Sequence, residues 1–245
     1  MSRLCSRLPV LALALLASVP GSARLAEPPA GALDVRLLSD PAAAGAILER
    51  FDAAQKDTRT LVAAFEERKR VRLLVHELTQ TGTLFYTAPD HFLWEYADAG
   101  GKLILLSPQE LLVYYPQRKK AEQVDISRYS KRILRFFGFG QTTAELRKYY
   151  DVSLAEDPQI PDTYLLLLDP TKRRLRKRLS SIRLWIDRDS MAPRQIEYVE
   201  SDGDYTRFAF RGVEINAPIP AGRYDIRLPA DVQVSRSFSG ILAID

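Results

Sequence analysis

Cysteine is almost missing from this 245-residue sequence: Cys5 is the only one. It lies ahead of the N-terminal apolar run, so a chain processed behind that run holds no thiol. Such a chain forms no disulfide, no Cys-ligated metal site and no thiolate nucleophile. Histidine is as scarce. His76 and His91 fall on the two sides of an expected hairpin without metal-ligand spacing. No Gly-x-Ser-x-Gly elbow, phosphate loop or dinucleotide fingerprint occurs. The expectation is a protein without catalytic residues, metal or cofactor, that is, not an enzyme. A strong charge imbalance is also lacking. Lys and Arg total 35 against 31 Asp and Glu, a net charge of +4, and Arg3 and Arg7 lie in a leader whose loss leaves +2. That is too small and too evenly spread for nucleic acid.

A long apolar run is missing as well. Residues 8–19 form a stretch of about a dozen residues, short of the roughly 20 that a membrane span needs. With Arg3 and Arg7 before it and Pro20-Gly21-Ser22-Ala23 after it, the stretch reads as a signal peptide, residues 1–23, cleaved after Ala23. A lipoprotein cysteine would follow the apolar run, whereas Cys5 precedes it, so no lipid anchor is expected. The reading is a soluble protein exported to the periplasm. Residues 24–40, with Glu27-Pro28-Pro29-Ala30-Gly31, read as a flexible N-terminal segment, and 41–245 as a single domain.

Ser39 or Asp40 caps a helix with Pro41 at its first position. Ala44, Ile47, Leu48 and Phe51 fall on one face of it, which predicts a helix over 41–57. Beyond Thr58 the pattern turns to short strands. They are expected near 61–72, 78–86, 91–96, 102–106, 111–115 and 119–124, bounded by Gly, Pro or Asp as in an antiparallel meander. Residues 127–147 break the rhythm. Ile133, Leu134, Phe136 and Phe137 have helical spacing, Gly138-Phe139-Gly140 interrupts, and Thr142 or Thr143 starts a short helix through Leu146. Strands resume at 149–155, 164–168, 182–187, 194–200 and 205–213, with Asp202-Gly203 as a hairpin turn. The fold class is mainly β: an unclosed antiparallel half-barrel with helical segments on its concave face.

Some charged groups stand out. Glu66 and Glu67 are neighbours on a strand, point to opposite faces and cannot readily share a proton. Asp187-Arg188-Asp189 sits at a turn. Arg68, Lys69, Arg70 and Arg72 form one basic run, and residues 172–178 a second. All are expected as solvated faces and turns, with contact to anionic headgroups or to an acidic membrane partner as the alternative for the basic runs.

The order of features carries a resemblance. Val62-Ala63-Ala64-Phe65 is followed by Gly82-Thr83-Leu84-Phe85-Tyr86. Then come Pro89-Asp90-His91-Phe92-Leu93-Trp94-Glu95-Tyr96 and Leu111-Leu112-Val113-Tyr114-Tyr115-Pro116. Leu184-Trp185-Ile186-Asp187 with residues 191–196 and Asp202-Gly203 matches a later hairpin. Over about residues 41–230 this resembles the outer-membrane lipoprotein carrier family (LolA-type), whose pattern is roughly Gly-x-Leu-x-x-x-x-Pro-x-x-Phe-x-Trp. No single motif is highly specific; the ordered set carries the likeness. The resemblance implies an apolar concave face that receives acyl chains of a lipoprotein, a helical lid and no cofactor. It implies a monomeric shuttle from an inner-membrane donor complex to an outer-membrane acceptor. Many family members carry an arginine before the proline of this pattern, linked to closing the lid. Here that position is Ala88.

On that reading Phe85, Phe92, Trp94, Leu103, Leu105, Leu112 and Tyr114 line the lipid-binding pocket, and Ile133, Phe136, Phe137 and Phe139 form the lid. An apolar, adaptable surface suits a protein that must both shield and release acyl chains, since each buried CH₂ contributes about 0.8 kcal/mol. Transient contact with a membrane surface fits the basic runs. A second reading is a lipid-sensing regulatory domain on the same fold that acts through a protein partner. A third, a hydrolase of envelope material, lacks the residues it needs.

Overall fold

A computed structural model of the chain describes residues 34–71, 76–98, 100–127 and 140–236. The leader, the first part of the N-terminal segment, Arg72 and the four expected lid residues Ile133, Phe136, Phe137 and Phe139 lie outside the described residues.

Helix α1 spans Pro41–Asp57, as its periodicity predicts. The Asp40 side chain accepts from the Ala42 N–H at 2.9 Å, and Pro41 follows at the first turn. That satisfies one of the unpaired N–H groups of a helix start. Thr58 closes the other end, donating its N–H and its hydroxyl to the Ala54 carbonyl at 3.0 and 2.7 Å. Ile47 and Phe51 are the buried side chains of the helix.

Thirteen strands are found among the described residues. They are β1 Arg36–Leu37, β2 Thr60–Arg70, β3 Leu78–Thr87, β4 His91–Tyr96, β5 Leu103–Leu106, β6 Glu110–Tyr115, β7 Lys120–Asp125, β8 Tyr150–Glu156, β9 Thr163–Pro170, β10 Leu179–Asp187, β11 Pro193–Glu200, β12 Tyr205–Ile215 and β13 Gln233–Ser235. All belong to one sheet, ordered β1-β8-β9-β10-β11-β12-β2-β3-β4-β5-β6-β7-β13. The two ends of this order do not pair, so the sheet is unclosed. Pairing is antiparallel throughout except for β13, which runs parallel to β7. Single helical turns occur at Thr143–Leu146 and Arg173–Arg176.

Alternation along the strands sends one set of side chains to each face. The inner set forms one continuous apolar cluster from Phe65 and Phe208 through Trp94 and Ile104 to Leu166 and Leu184, and α1 adds Ile47 and Phe51 to it. The outer face carries two smaller clusters. Leu93, Leu105, Leu112 and Ala121 pack beneath Tyr224, Ile226, Leu228 and Val232 of the C-terminal segment. Ala155, Leu165 and Trp185 pack with Val35 and Ile160, and the Trp185 indole N–H donates to Asp157 at 2.9 Å.

Gly82 is a point where the strand interior requires a missing side chain. It pairs with Phe65 on one side and Tyr96 on the other. The Phe65 ring lies over it and meets the Tyr96 ring edge-on at 5.0 Å. A Cβ at Gly82 would sit 2.7 Å from Phe65 Cζ and 2.1 Å from the Glu95 carbonyl oxygen. The glycine of the family-like pattern thus serves close aromatic packing across the strand.

Three stretches of backbone depart from the sequence reading. Residues 36–37, within the stretch expected to be flexible, pair with β8, and Leu38 donates its N–H to the Leu154 carbonyl at 2.9 Å. The basic stretch 172–178 contains a helical turn instead of a plain loop, because Leu175 turns inward. A thirteenth strand, short and low in hydrophobicity, extends the β7 edge.

Candidate functional site

The inner face of β2, β3 and β4 carries a run of aromatic rings. Phe92 stacks on Trp94 at 5.4 Å with an 11° interplanar angle, and Tyr86 lies 4.6 Å from Phe92. Phe65 contacts Phe208 at 5.8 Å. These rings, with Leu84, Ile104, Leu111 and Val113, line the concave side of the sheet. Every such side chain is buried, and Ile47 and Phe51 of α1 and Leu146 of the turn Thr143–Leu146 join the same cluster. Both elements are pinned by polar contacts. Asp52 of α1 accepts from the Thr143 N–H at 2.6 Å and from its hydroxyl at 2.7 Å. Gln55 accepts from the Gly140 N–H at 2.7 Å. Gly140 has a φ of +75°, and a Cβ there would lie 2.7 Å from the Tyr86 hydroxyl. Arg50 reaches the Arg188 carbonyl at 2.9 Å.

The seven expected pocket residues do not share a face. Phe92 and Trp94 lie in the concave cluster. Phe85, Leu105, Leu112 and Tyr114 belong to the outer cluster beneath the C-terminal segment. Leu103, two residues before Leu105 on the same strand, points with it. The register explains the split. Tyr86 pairs with Phe92, which turns Phe85 outward opposite Leu93, and Leu105 pairs with Leu112. The concave residues that the sequence reading left out are Phe65, Leu84, Tyr86, Ile104, Leu111 and Val113. The alternation of each strand was visible, but not which set faces inward.

One end of the concave face turns polar, where solvated side chains were expected. On β2, Phe65 is followed inward by Glu67, 3% exposed, and Lys69, 5% exposed. Glu66 turns out and pairs with Arg68 at 2.7 Å, so the two glutamates do lie on opposite faces. Lys102 is fully buried, donates to Gln80 at 3.0 Å and stands 3.7 Å over the Tyr96 ring. Burial lowers the Lys102 pKa to about 8, with Glu67 opposing that shift. Burial also lowers Lys69, raises Glu67, and takes Glu200 up to about 7. Burial and the neighbouring Glu67 charge both push the Tyr96 hydroxyl well up. The Thr206 hydroxyl is buried without a hydrogen-bond partner among the described residues.

An open cavity of about 460 Å³ lies elsewhere. Its lining includes Ala64, Glu66, Thr81, Thr83, Glu95 and Arg211, mostly side chains of the outer face. Glu95 is engaged by Arg223, whose guanidinium covers Phe85. Among the described residues no group of three or more His, Cys, Asp or Glu is placed to hold a metal ion. His91 pairs with Asp90 at 3.0 Å. No helix among them is long and apolar enough to cross a membrane.

An unclosed sheet whose concave side is one aromatic and aliphatic surface defines a class of binding fold. Residues 56–227 match the family model described as outer membrane lipoprotein carrier protein LolA, and the chain belongs to that family. A comparison with curated proteins finds no match. Among solved structures, the chain is similar to an uncharacterized conserved protein from Thermus thermophilus. The identity is 14%, the TM-score 0.50, and the match covers 80% of this chain and 99% of that one. It is also similar to the lipoprotein LppX of Mycobacterium tuberculosis, at 14% identity and TM-score 0.45, over 74% of this chain and 99% of that one. A LolA superfamily protein from Nitrosomonas europaea matches at 12% identity and TM-score 0.38, over 74% and 96%.

Proposed function

We propose that this protein is a non-enzymatic periplasmic carrier that holds acyl chains of a lipoprotein, or of a related lipid, against its concave face. On this reading it is exported by the leader 1–23, loads at an inner-membrane donor and unloads at an outer-membrane acceptor. One observation carries the proposal. The concave face carries one continuous apolar cluster from Ile104 to Leu184 and turns polar at the end that holds Glu67, Lys69 and Lys102, while α1 contributes only Ile47 and Phe51 as buried residues. Burying such side chains contributes about 2 kcal/mol each. Acyl chains entering beneath the helix would replace that contribution, since each buried CH₂ adds about 0.8 kcal/mol. About five CH₂ groups already offset the two side chains, so longer acyl chains favour the loaded state and release requires an acceptor that shields them as well. Family membership supports the same reading.

The test is photo-crosslinking with benzoylphenylalanine placed at Phe51 or Trp94 on the concave side, and at Leu105 or Leu112 on the outer side. Protein purified from its own periplasm is irradiated and weighed by native mass spectrometry. An acylated adduct at the concave positions and none at the outer ones supports the proposal. Equal adducts at both, or none anywhere after incubation with lipoproteins and envelope lipids, would sink it.

A further inference from the structure

Six of the seven residues from 172 to 178 are cations: Lys172, Arg173, Arg174, Arg176, Lys177 and Arg178. All six are exposed. Leu175, the seventh, is 5% exposed and joins the same apolar cluster as Phe92 and Trp94. The turn is held in shape. The N–H groups of Leu175 and Arg176 donate to the Lys172 carbonyl at 2.9 and 3.0 Å. Ser201 of the neighbouring hairpin donates its N–H to the Arg178 carbonyl and its hydroxyl to the Lys177 carbonyl. A Thr171 N–H bond to the Tyr149 carbonyl, 2.8 Å, brings exposed Arg147 and Lys148 alongside.

These eight cations stand at the end of the sheet where β9 leaves and β8 and β10 begin. The carboxylates nearby are Asp151 and Asp169, which face each other across β8 and β9, and Glu200, Asp202 and Asp204 beside the hairpin. Among the described residues, none of the six cations of the turn makes a salt bridge. Like charges packed this densely repel, which disfavours the fold unless an anionic surface meets them.

We propose that this turn is the surface on which the protein docks onto a bilayer bearing anionic headgroups. A protein partner would ordinarily need an apolar or aromatic anchor at the centre of its contact. Among the described residues the exposed large hydrophobic side chains are Leu37, Ile215 and Val234, and none lies in this turn. A headgroup layer needs no such anchor: cations near an anionic surface are each worth about fivefold in partitioning. Leu175 ties the docking turn directly to the concave cluster, so the chamber meets the bilayer end-on.

The test compares vesicles of phosphatidylethanolamine with phosphatidylglycerol against vesicles of phosphatidylcholine alone, by co-sedimentation with the purified protein. Binding is expected to the anionic vesicles only, and to vanish in molar salt, where charges are screened within about 3 Å. Arg173→Gln with Arg174→Gln is expected to weaken it about thirtyfold. Lys56→Gln with Arg59→Gln removes the same charge near the opposite end of β2 and is expected to leave binding within about twofold of the parent. Equal loss in both double variants would make the effect one of net charge and overturn the assignment. So would absence of binding to anionic vesicles, which would point to an acidic protein surface. Unchanged melting temperatures establish that both variants fold, since all four side chains are exposed. The inference goes beyond the carrier reading: vesicle binding reports the turn and crosslinking reports the chamber, so either can fail alone.

Discussion

A methyl group at Gly82 would press on the Phe65 ring and, more closely, on the Glu95 carbonyl oxygen. The ring can rotate, but the carbonyl belongs to the β3–β4 ladder and cannot yield without breaking a pair. Gly82→Ala is therefore expected to cost about 3 kcal/mol, the upper range for overpacking, measured by urea denaturation. A loss below about 1 kcal/mol would show that the strand shifts freely. The buried charges make a second prediction. Lys102 falls from 10.5 to about 8 on folding. Between those values the unfolded chain holds a proton that the folded chain has released, so stability rises with pH across that window. Lys102→Met should remove this rise. Glu200 moves the other way, from 4.5 to about 7. Its contribution is full below 4.5 and is lost as pH climbs toward 7. Glu200→Gln should flatten that decline in a series of thermal melts.

Helix α1 is held by few groups for its seventeen residues. Asp52 makes two hydrogen bonds to Thr143, and bonds to a charged acceptor contribute about 1.5–3 kcal/mol. Asp52→Ala is expected to lower stability by about 2 kcal/mol and to speed hydrogen exchange in α1 before it does so in β2 or β3. Thr143→Ala should cost less once Asp52 is gone than in the parent protein, because the two changes remove the same contact. Additive losses would place the role of Asp52 elsewhere. At the same scale, α1 was readable from its cap and its apolar spacing, and so was most of each strand. The inward side of each strand was not. Phe92 and Phe85 both read as pocket residues, yet the register of the β3–β4 hairpin puts them on opposite faces.

For the molecule as a whole, a carrier predicts stabilisation by cargo. A diacylated lipopeptide at about 100 times its Kd should add about 2.7 kcal/mol. For a domain of this size that is a rise of roughly 5–10 °C in melting temperature. No rise with any acylated ligand, while crosslinking to lipid succeeds, would mean that the acyl chains bind the unfolded chain as strongly as the folded one. Part of the outer face is closed by the chain itself. The C-terminal segment covers Leu93, Leu105 and Leu112, and the Tyr224 hydroxyl shares a hydrogen bond with Thr87 at 2.8 Å.

The amino-acid sequence by itself determined the class of fold and the place of nearly every element, because caps, turn residues and period-two alternation are local signals. It also contained the ordered pattern around Gly82, Phe92 and Trp94 that marks the family. Tertiary structure decided what local signals cannot carry. Which alternating set faces the core depends on turn register, and a one-residue difference reverses every side chain. Glu67 and Lys69 were expected to be solvated because charge favours water. They are buried because β2 places them on the inner face, close to Lys102, which stands over Tyr96 and donates to Gln80. The basic turn at 172–178 was legible as charge, but only the inward seating of Leu175 set that charge at the end of the chamber.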